Sequence, residues 1–196
     1  MTTAALRRPH PIRRTAVSNA VLGMLIFVTT EVMFFMALTS AFMVIKSKVF
    51  GKWAPPADIT LPRLATAFNT AVLLASGVLM VLATISHSKD PHNAKAKSMY
   101  VQATLLGAFF VIFQGYEWTK LISYGMTMTA NLFGATFFLL IGSHGVHAAA
   151  AVLAMAYCGY QMVTNKLAVD RLKGLMVFWL FVVGIWPVLY GMVYFS

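Results

Sequence analysis

The sequence predicts an all-α integral membrane protein, a bundle of five transmembrane helices. Its 196 residues are 60% apolar and only 10% charged, with a mean hydropathy of +0.78, whereas soluble domains carry about 25% charged residues. Five apolar runs, at about 18–45, 64–86, 98–123, 131–164 and 172–195, are nearly free of Lys and Arg. Each reaches the roughly 20 helical residues needed to cross a ~30 Å hydrocarbon core. Inside those runs fall four ionisable side chains, Glu31, Glu117, His144 and His147. A charge at mid-bilayer costs roughly 2.5–3.5 kcal/mol, so such groups face a protein interior, water or a bound partner.

Helix is the state that satisfies backbone groups in lipid without a closed barrel, and the alternating ten-residue segments of a barrel are absent. The first run follows a basic tail, 1–17, that holds Arg7, Arg8, Arg13 and Arg14. It looks superficially like a signal peptide, but it exceeds the usual apolar region of about 7–15 residues and contains Glu31, so it reads as a retained helix. The connector Trp53–Pro62 contains three prolines that bar helix continuation, and Trp53 suits a membrane interface. In the second run Ala67, Ala71 and Ala75 recur four apart, which predicts a face for close helix approach. The segment His87–Lys97 reads as a polar, solvent-exposed turn. The third run carries Gln114, Glu117 and Lys120 near its end; the fourth is long enough that it must tilt or project beyond the lipid. Residues 18–196 thus form one transmembrane domain.

Basic residues orient the bundle. The tail, the connector with Lys89, Lys95 and Lys97, and the connector with Lys166, Arg171 and Lys173 share one side. The opposite side has Lys46, Lys48, Lys52, Arg63 and Lys120, half as many. That bias predicts a cytoplasmic N-terminus.

The formal charge of +10 does not point to nucleic acid, because the positives sit in short connectors and form no basic face with interleaved aromatics. Cys158, the single cysteine, lies in an apolar run and reads as a small core residue, which excludes a disulfide framework within the chain. No phosphate-binding loop, Gly-x-Ser-x-Gly elbow or His-Glu-x-x-His occurs. No catalytic residue and no resident cofactor or metal is therefore expected.

Removal from water favours the neutral form of a carboxyl. Glu31 accordingly reads either as a protonated donor to a neighbouring helix or as a proton-handling or lipid-contacting group. Glu117 reads either as the partner of Lys120, three residues on, or as a hydrogen-bonding group toward the fourth helix. His144 and His147 share a helix face, but two imidazoles are an incomplete metal set. No Glu-x-x-His motif accompanies them, as a di-iron bundle would need. Gly142 and Gly145 flank His144, which predicts that a neighbouring backbone comes close enough to hydrogen-bond these rings.

The motifs carry a resemblance over about residues 20–195. Phe27-Val-Thr-Thr-Glu31-Val-Met-Phe-Phe35 resembles the Glu-bearing helix of subunit III of haem-copper oxidases. Trp53-x-Pro-Pro56, Leu61-Pro62, and Asn69-Thr70-x-x-Leu73-Leu74-x-Ser76-Gly77 ending at His87-Ser88 resemble the family's next loop and helix. Gln114-x-x-Glu117-Trp118, Phe133-Gly-Ala-Thr-Phe-Phe138 and Gly142-Ser-His-Gly-Val-His147 are similar to three further family motifs, in order. The chain resembles only the last five of the seven helices of full-length members, as a short bacterial form would. Two departures stand out. Trp179-Leu-Phe-Val-Val183 lacks the His and Asp of the family's last-helix motif, and Ala130 replaces an Asp.

The resemblance implies a non-redox accessory subunit in a bacterial inner (plasma) membrane. It would pack on the catalytic haem-copper subunit I and other oxidase subunits, which would hold the haem and copper, and it would contact membrane lipids, phospholipid included. Its implied role is to support the stability, proton uptake and oxygen access of a complex that reduces O2 to water with cytochrome c as donor. A quinol oxidase or nitric oxide reductase accessory subunit is the nearest alternative. An independent proton channel using Glu31 and His144, or a metal-bearing membrane enzyme, belongs to a different class.

Overall fold

A computed structural model describes residues 18–49, 63–129 and 131–194. It has five α-helices: α1 Asn19–Lys48, α2 Arg63–Lys89, α3 Ala94–Ser123, α4 Leu132–Val163 and α5 Val169–Tyr194. All five are long and apolar enough to cross a membrane. The basic tail, the Trp53–Pro62 connector and Ala130 lie outside the described residues.

Polar caps fix three of the starts. Ser18, Asn93 and Asn131 each turn a side-chain oxygen back onto a first-turn N–H, at 3.5 Å to Val21, 2.9 Å to Lys95 and 2.6 Å to Gly134, satisfying donors that the helix leaves orphaned. Because α2 runs to Lys89 and the Asn93 cap starts α3 at Ala94, the turn expected over His87–Lys97 shrinks to residues 90–93. His87 and Ala96 are buried inside helices rather than exposed. At the far end of α4, Asn165 takes a positive φ of 55°, which Asn tolerates better than most residues. Its Oδ1 accepts from Lys97 Nζ at 2.9 Å, tying that end to the start of α3.

Helix α5 is the hub, packing on α1, α2 and α4, while α3 joins α2 to α4. Trp179 and Trp186 of α5 are fully buried among Phe110, Phe137, Leu73 and Met80. Gly107 makes room for one of them, since a Cβ there would lie 2.8 Å from the Trp179 ring. Pro187 removes one backbone donor from α5, an interruption that transmembrane helices absorb. In α1 only Phe35 and Phe42 are buried, against twelve residues from Phe133 to Met162 in α4. One side of the bundle is therefore a helix that faces outward along most of its length.

The alanine face expected of α2 is not the packed one: Ala67, Ala71 and Ala75 are all exposed. The buried face instead holds Thr66, Asn69, Thr70, Leu73, Ser76, Gly77, Met80, Ala83 and Thr84. The reason is polarity. Hydroxyls and amides must find partners inside the bundle, whereas alanine faces lipid without penalty.

Candidate functional site

Three of the four ionisable residues, Glu31, His144 and His147, lie around Phe35 where α1, α4 and α5 converge. Glu31 of α1 and His147 of α4 are in direct contact, Glu31 Oε2 to His147 Nε2 at 2.9 Å. His147 Nδ1 lies 2.7 Å from the carbonyl oxygen of Ser143, one turn earlier in the same helix. A carbonyl only accepts, so Nδ1 carries a hydrogen and the ring's other nitrogen is turned to Glu31. Two arrangements satisfy that contact. Either the protonated carboxyl donates to bare Nε2, or the imidazolium donates to the carboxylate. Both hold one proton between the two residues and both are neutral overall, which avoids a net charge in lipid. The pair is half-buried, with side-chain exposures of 20% for His147 and 18% for Glu31.

Phe35, one turn beyond Glu31 and fully buried, is the wedge behind this pair. Its ring sits edge-on 5.4 Å from His147 and 6.5 Å from His144, and 5.9 Å from Phe181 of α5. His144 is 1% exposed and packs against aromatic rings, 4.9 Å from Trp186 and 6.2 Å from Phe110. Neither of its ring nitrogens has a hydrogen-bond partner among the described residues, and a buried polar atom left so costs about 1–3 kcal/mol.

Among the described residues no neighbouring helix backbone hydrogen-bonds these rings, unlike the arrangement expected from the sequence. The carbonyl that His147 uses belongs to its own helix. The space beside Gly145 is taken by the Trp118 ring, and Gly142 has nothing within 4 Å of where its Cβ would lie. A flat indole from α3, not a second backbone, fills the notch at Gly145.

Glu117 stands apart from the histidine site. It is 7% exposed and pairs with Lys120 Nζ at 3.2 Å, and Lys120 also caps the Tyr116 ring at 4.3 Å. Of the two readings left open by the sequence, the geometry has the local pair. The long apolar stem of lysine lets its ammonium reach a carboxylate at the end of a membrane helix.

A second polar group joins α2 to α3 and α5 through residues that the motifs contain but for which no contact was expected. Asn69 Nδ2 donates to the Phe110 carbonyl at 3.2 Å and to Gln114 Oε1 at 3.4 Å, joining α2 to α3. Trp186 Nε1 donates to Thr70 Oγ1 at 2.9 Å, and Thr70 donates onward to the Thr66 carbonyl at 2.7 Å. The signal was present: an Asn in an otherwise apolar run needs a partner as much as a Glu does.

Among the described residues no three His, Cys, Asp or Glu side chains come together as a metal site would require. What the Glu31–His147 pair offers chemically is a carboxyl and an imidazole nitrogen within hydrogen-bond distance of each other.

Against known proteins, residues 10–196 match the family of cytochrome c oxidase subunit III. The chain is 28% identical to a probable cytochrome c oxidase subunit 3 of Mycobacterium leprae, covering 98% of this chain and 95% of that one. It is likewise 28% identical to a probable cytochrome c oxidase subunit 3 of Nocardia farcinica, with the same coverage. The cytochrome c oxidase subunit 3 of Drosophila melanogaster is 29% identical over 88% of this chain, which spans 67% of that protein. Relatives of about this chain's own length thus stand beside longer ones, in line with the short form expected from the motifs. Matched from residue 10 to its end, and built as the five helices its motifs call for, the chain belongs to the cytochrome c oxidase subunit III family.

Proposed function

We propose that this chain is the non-redox accessory subunit of a bacterial respiratory haem-copper oxidase. The complex lies in the plasma membrane, takes electrons from cytochrome c and reduces O2 to water. The chain packs on the catalytic subunit, which with its neighbours holds the haem and copper, and it has its N-terminus in the cytoplasm. Membership of the subunit III family supports this reading, as do the names of its bacterial relatives.

The observation that carries the role is the Glu31–His147 contact at 2.9 Å. A proton held between a carboxyl and an imidazole in the apolar span keeps the pair neutral overall. It can also be exchanged with a neighbouring chain without moving the backbone. The outward face of α1, with Met33, Met36 and Phe34 exposed, is an apolar surface that lipid or the catalytic subunit covers and along which O2 dissolves. On this account the subunit keeps the catalytic centre durable, supports proton uptake and leaves oxygen a lipid-lined approach.

The test is the number of turnovers the complex completes before it inactivates. Glu31→Gln keeps a hydrogen-bonding amide opposite His147 but cannot ionise. The complex should assemble in normal amount, start at a near-normal rate, and inactivate several-fold sooner. Undiminished durability would remove the proton-holding role, and loss of the whole complex from the membrane would make Glu31 architectural instead.

A further inference from the structure

Toward the start of α3 and the end of α4, a cavity of about 300 Å³ lies in the groove between the two helices. Ala156 and Gly159 of α4, with little or no side chain, leave the gap. The buried Tyr100 ring forms its floor, 3.3 Å from where a Gly159 Cβ would lie. Its hydroxyl donates to the Met155 carbonyl at 2.7 Å and so pins the ring in place. Val101 and Leu105 of α3 and Tyr160 and Val163 of α4 are the exposed walls. The lining is almost wholly carbon. Lys97 stands at the end of this groove, one turn before Val101 on the same face of α3. Its Nζ donates to Asn165 Oδ1 at 2.9 Å, just past the end of α4, which fixes the cation between the two helices. Asn165 is neutral, and the ion pairs among the described residues are Lys120–Glu117 and Glu31–His147, so the charge on Lys97 is uncompensated. Asp90, the acid nearest to it in the chain, accepts from the His92 N–H instead. Lys166, which follows Asn165, is exposed at the same end.

We infer that this groove binds one anionic phospholipid from the leaflet at the Lys97 end, an acyl chain lying in the cavity and the phosphate against Lys97 and Lys166. A basic pocket between transmembrane helices at the membrane surface attracts anionic headgroups. Basic connectors orient the bundle in any case; Lys97 differs in being held over the groove by Asn165. The depth also matches. From Lys97 to Leu105 α3 rises about 12 Å, within one half of a ~30 Å hydrocarbon core, so a chain hanging from a phosphate at Lys97 passes the whole cavity. A partner helix laid in the groove would strip water from Lys97 and would need its own carboxylate at one height to offset that cost. An anionic lipid brings charge and chain together. The site needs only that the chain spans a membrane, and it takes nothing from α1.

The test is photolabelling of the intact complex in vesicles that mix phosphatidylcholine and phosphatidylglycerol. Each lipid is supplied in turn with the same diazirine-bearing acyl chain, and labelled peptides are located by mass spectrometry. The phosphatidylglycerol probe should label residues 100–105 and 155–163 about fivefold more than the phosphatidylcholine probe, the factor one surface cation supplies. Added salt should shrink that ratio. Lys97→Gln keeps a donor for Asn165 but removes the charge; the ratio should fall toward one while phosphatidylcholine labelling stays level, and Lys97→Arg should restore it. Ala156→Leu fills the gap and should lower labelling by both probes. Should Lys97→Gln fail to assemble, the salt series on the unaltered complex decides in its place. Equal labelling by the two probes, a preference that survives Lys97→Gln, or no labelling by either because a neighbouring subunit fills the groove would each overturn the site.

Discussion

Glu31 and His147 stand 116 positions apart in the chain and meet at 2.9 Å, with the Ser143 carbonyl 2.7 Å behind the imidazole. That carbonyl sets the tautomer and turns Nε2 toward the carboxyl. Removing the carboxyl leaves Nε2 facing a gap in an apolar span. Glu31→Ala should therefore lower the stability of the solubilised chain by about 1–3 kcal/mol, and Glu31→Gln by about 1 kcal/mol or less. Thermal unfolding in one detergent ranks the two; equal losses would show that the hydrogen bond contributes nothing.

His144 should respond to its shape and not to its nitrogens. With Trp186 at 4.9 Å and no polar partner, His144→Phe retains the packing and deletes two unsatisfied atoms. Stability of the purified chain should stay level or rise. His144→Ala empties the same volume and should cost about 3 kcal/mol or more. A phenylalanine variant as damaged as the alanine one would mean that the ring nitrogens are bonded within the fold.

Two glycines should part company. A Cβ at Gly107 would lie 2.8 Å from the Trp179 ring, and Trp179 is fully buried with no room to retreat. Gly107→Ala should cost about 1–3 kcal/mol through overpacking. Gly142→Ala meets open space and should stabilise α4 by about 0.5–1 kcal/mol, the usual gain on replacing helical glycine. Unfolding of the two variants side by side checks the sign of each.

Much of this was legible in the sequence because a membrane simplifies the code. Hydrophobic length specified five helices, and charge in an apolar run singled out Glu31, Glu117, His144 and His147. Which of them touch was not legible. His144 and His147 share a helix, yet Phe35 sends one toward a carboxyl and leaves the other among aromatic rings, a division that depends on how α1 lies across α4. The alanine pattern of α2 misled because small residues permit close packing without requiring it. Thr70 and Asn69, which require partners, turned the helix the other way. Spacing alone does not weigh those demands against each other.

The central claim is that the chain shelters its ionisable groups by pairing and holds no redox centre of its own. The most direct measurement is to purify the tagged chain in mild detergent, record haem absorbance and metal content, and then dissociate the complex and measure each chain again. Haem and copper should co-purify, oxidise cytochrome c with consumption of O2, and leave with the other polypeptides. Haem or metal retained by the separated chain would contradict the account.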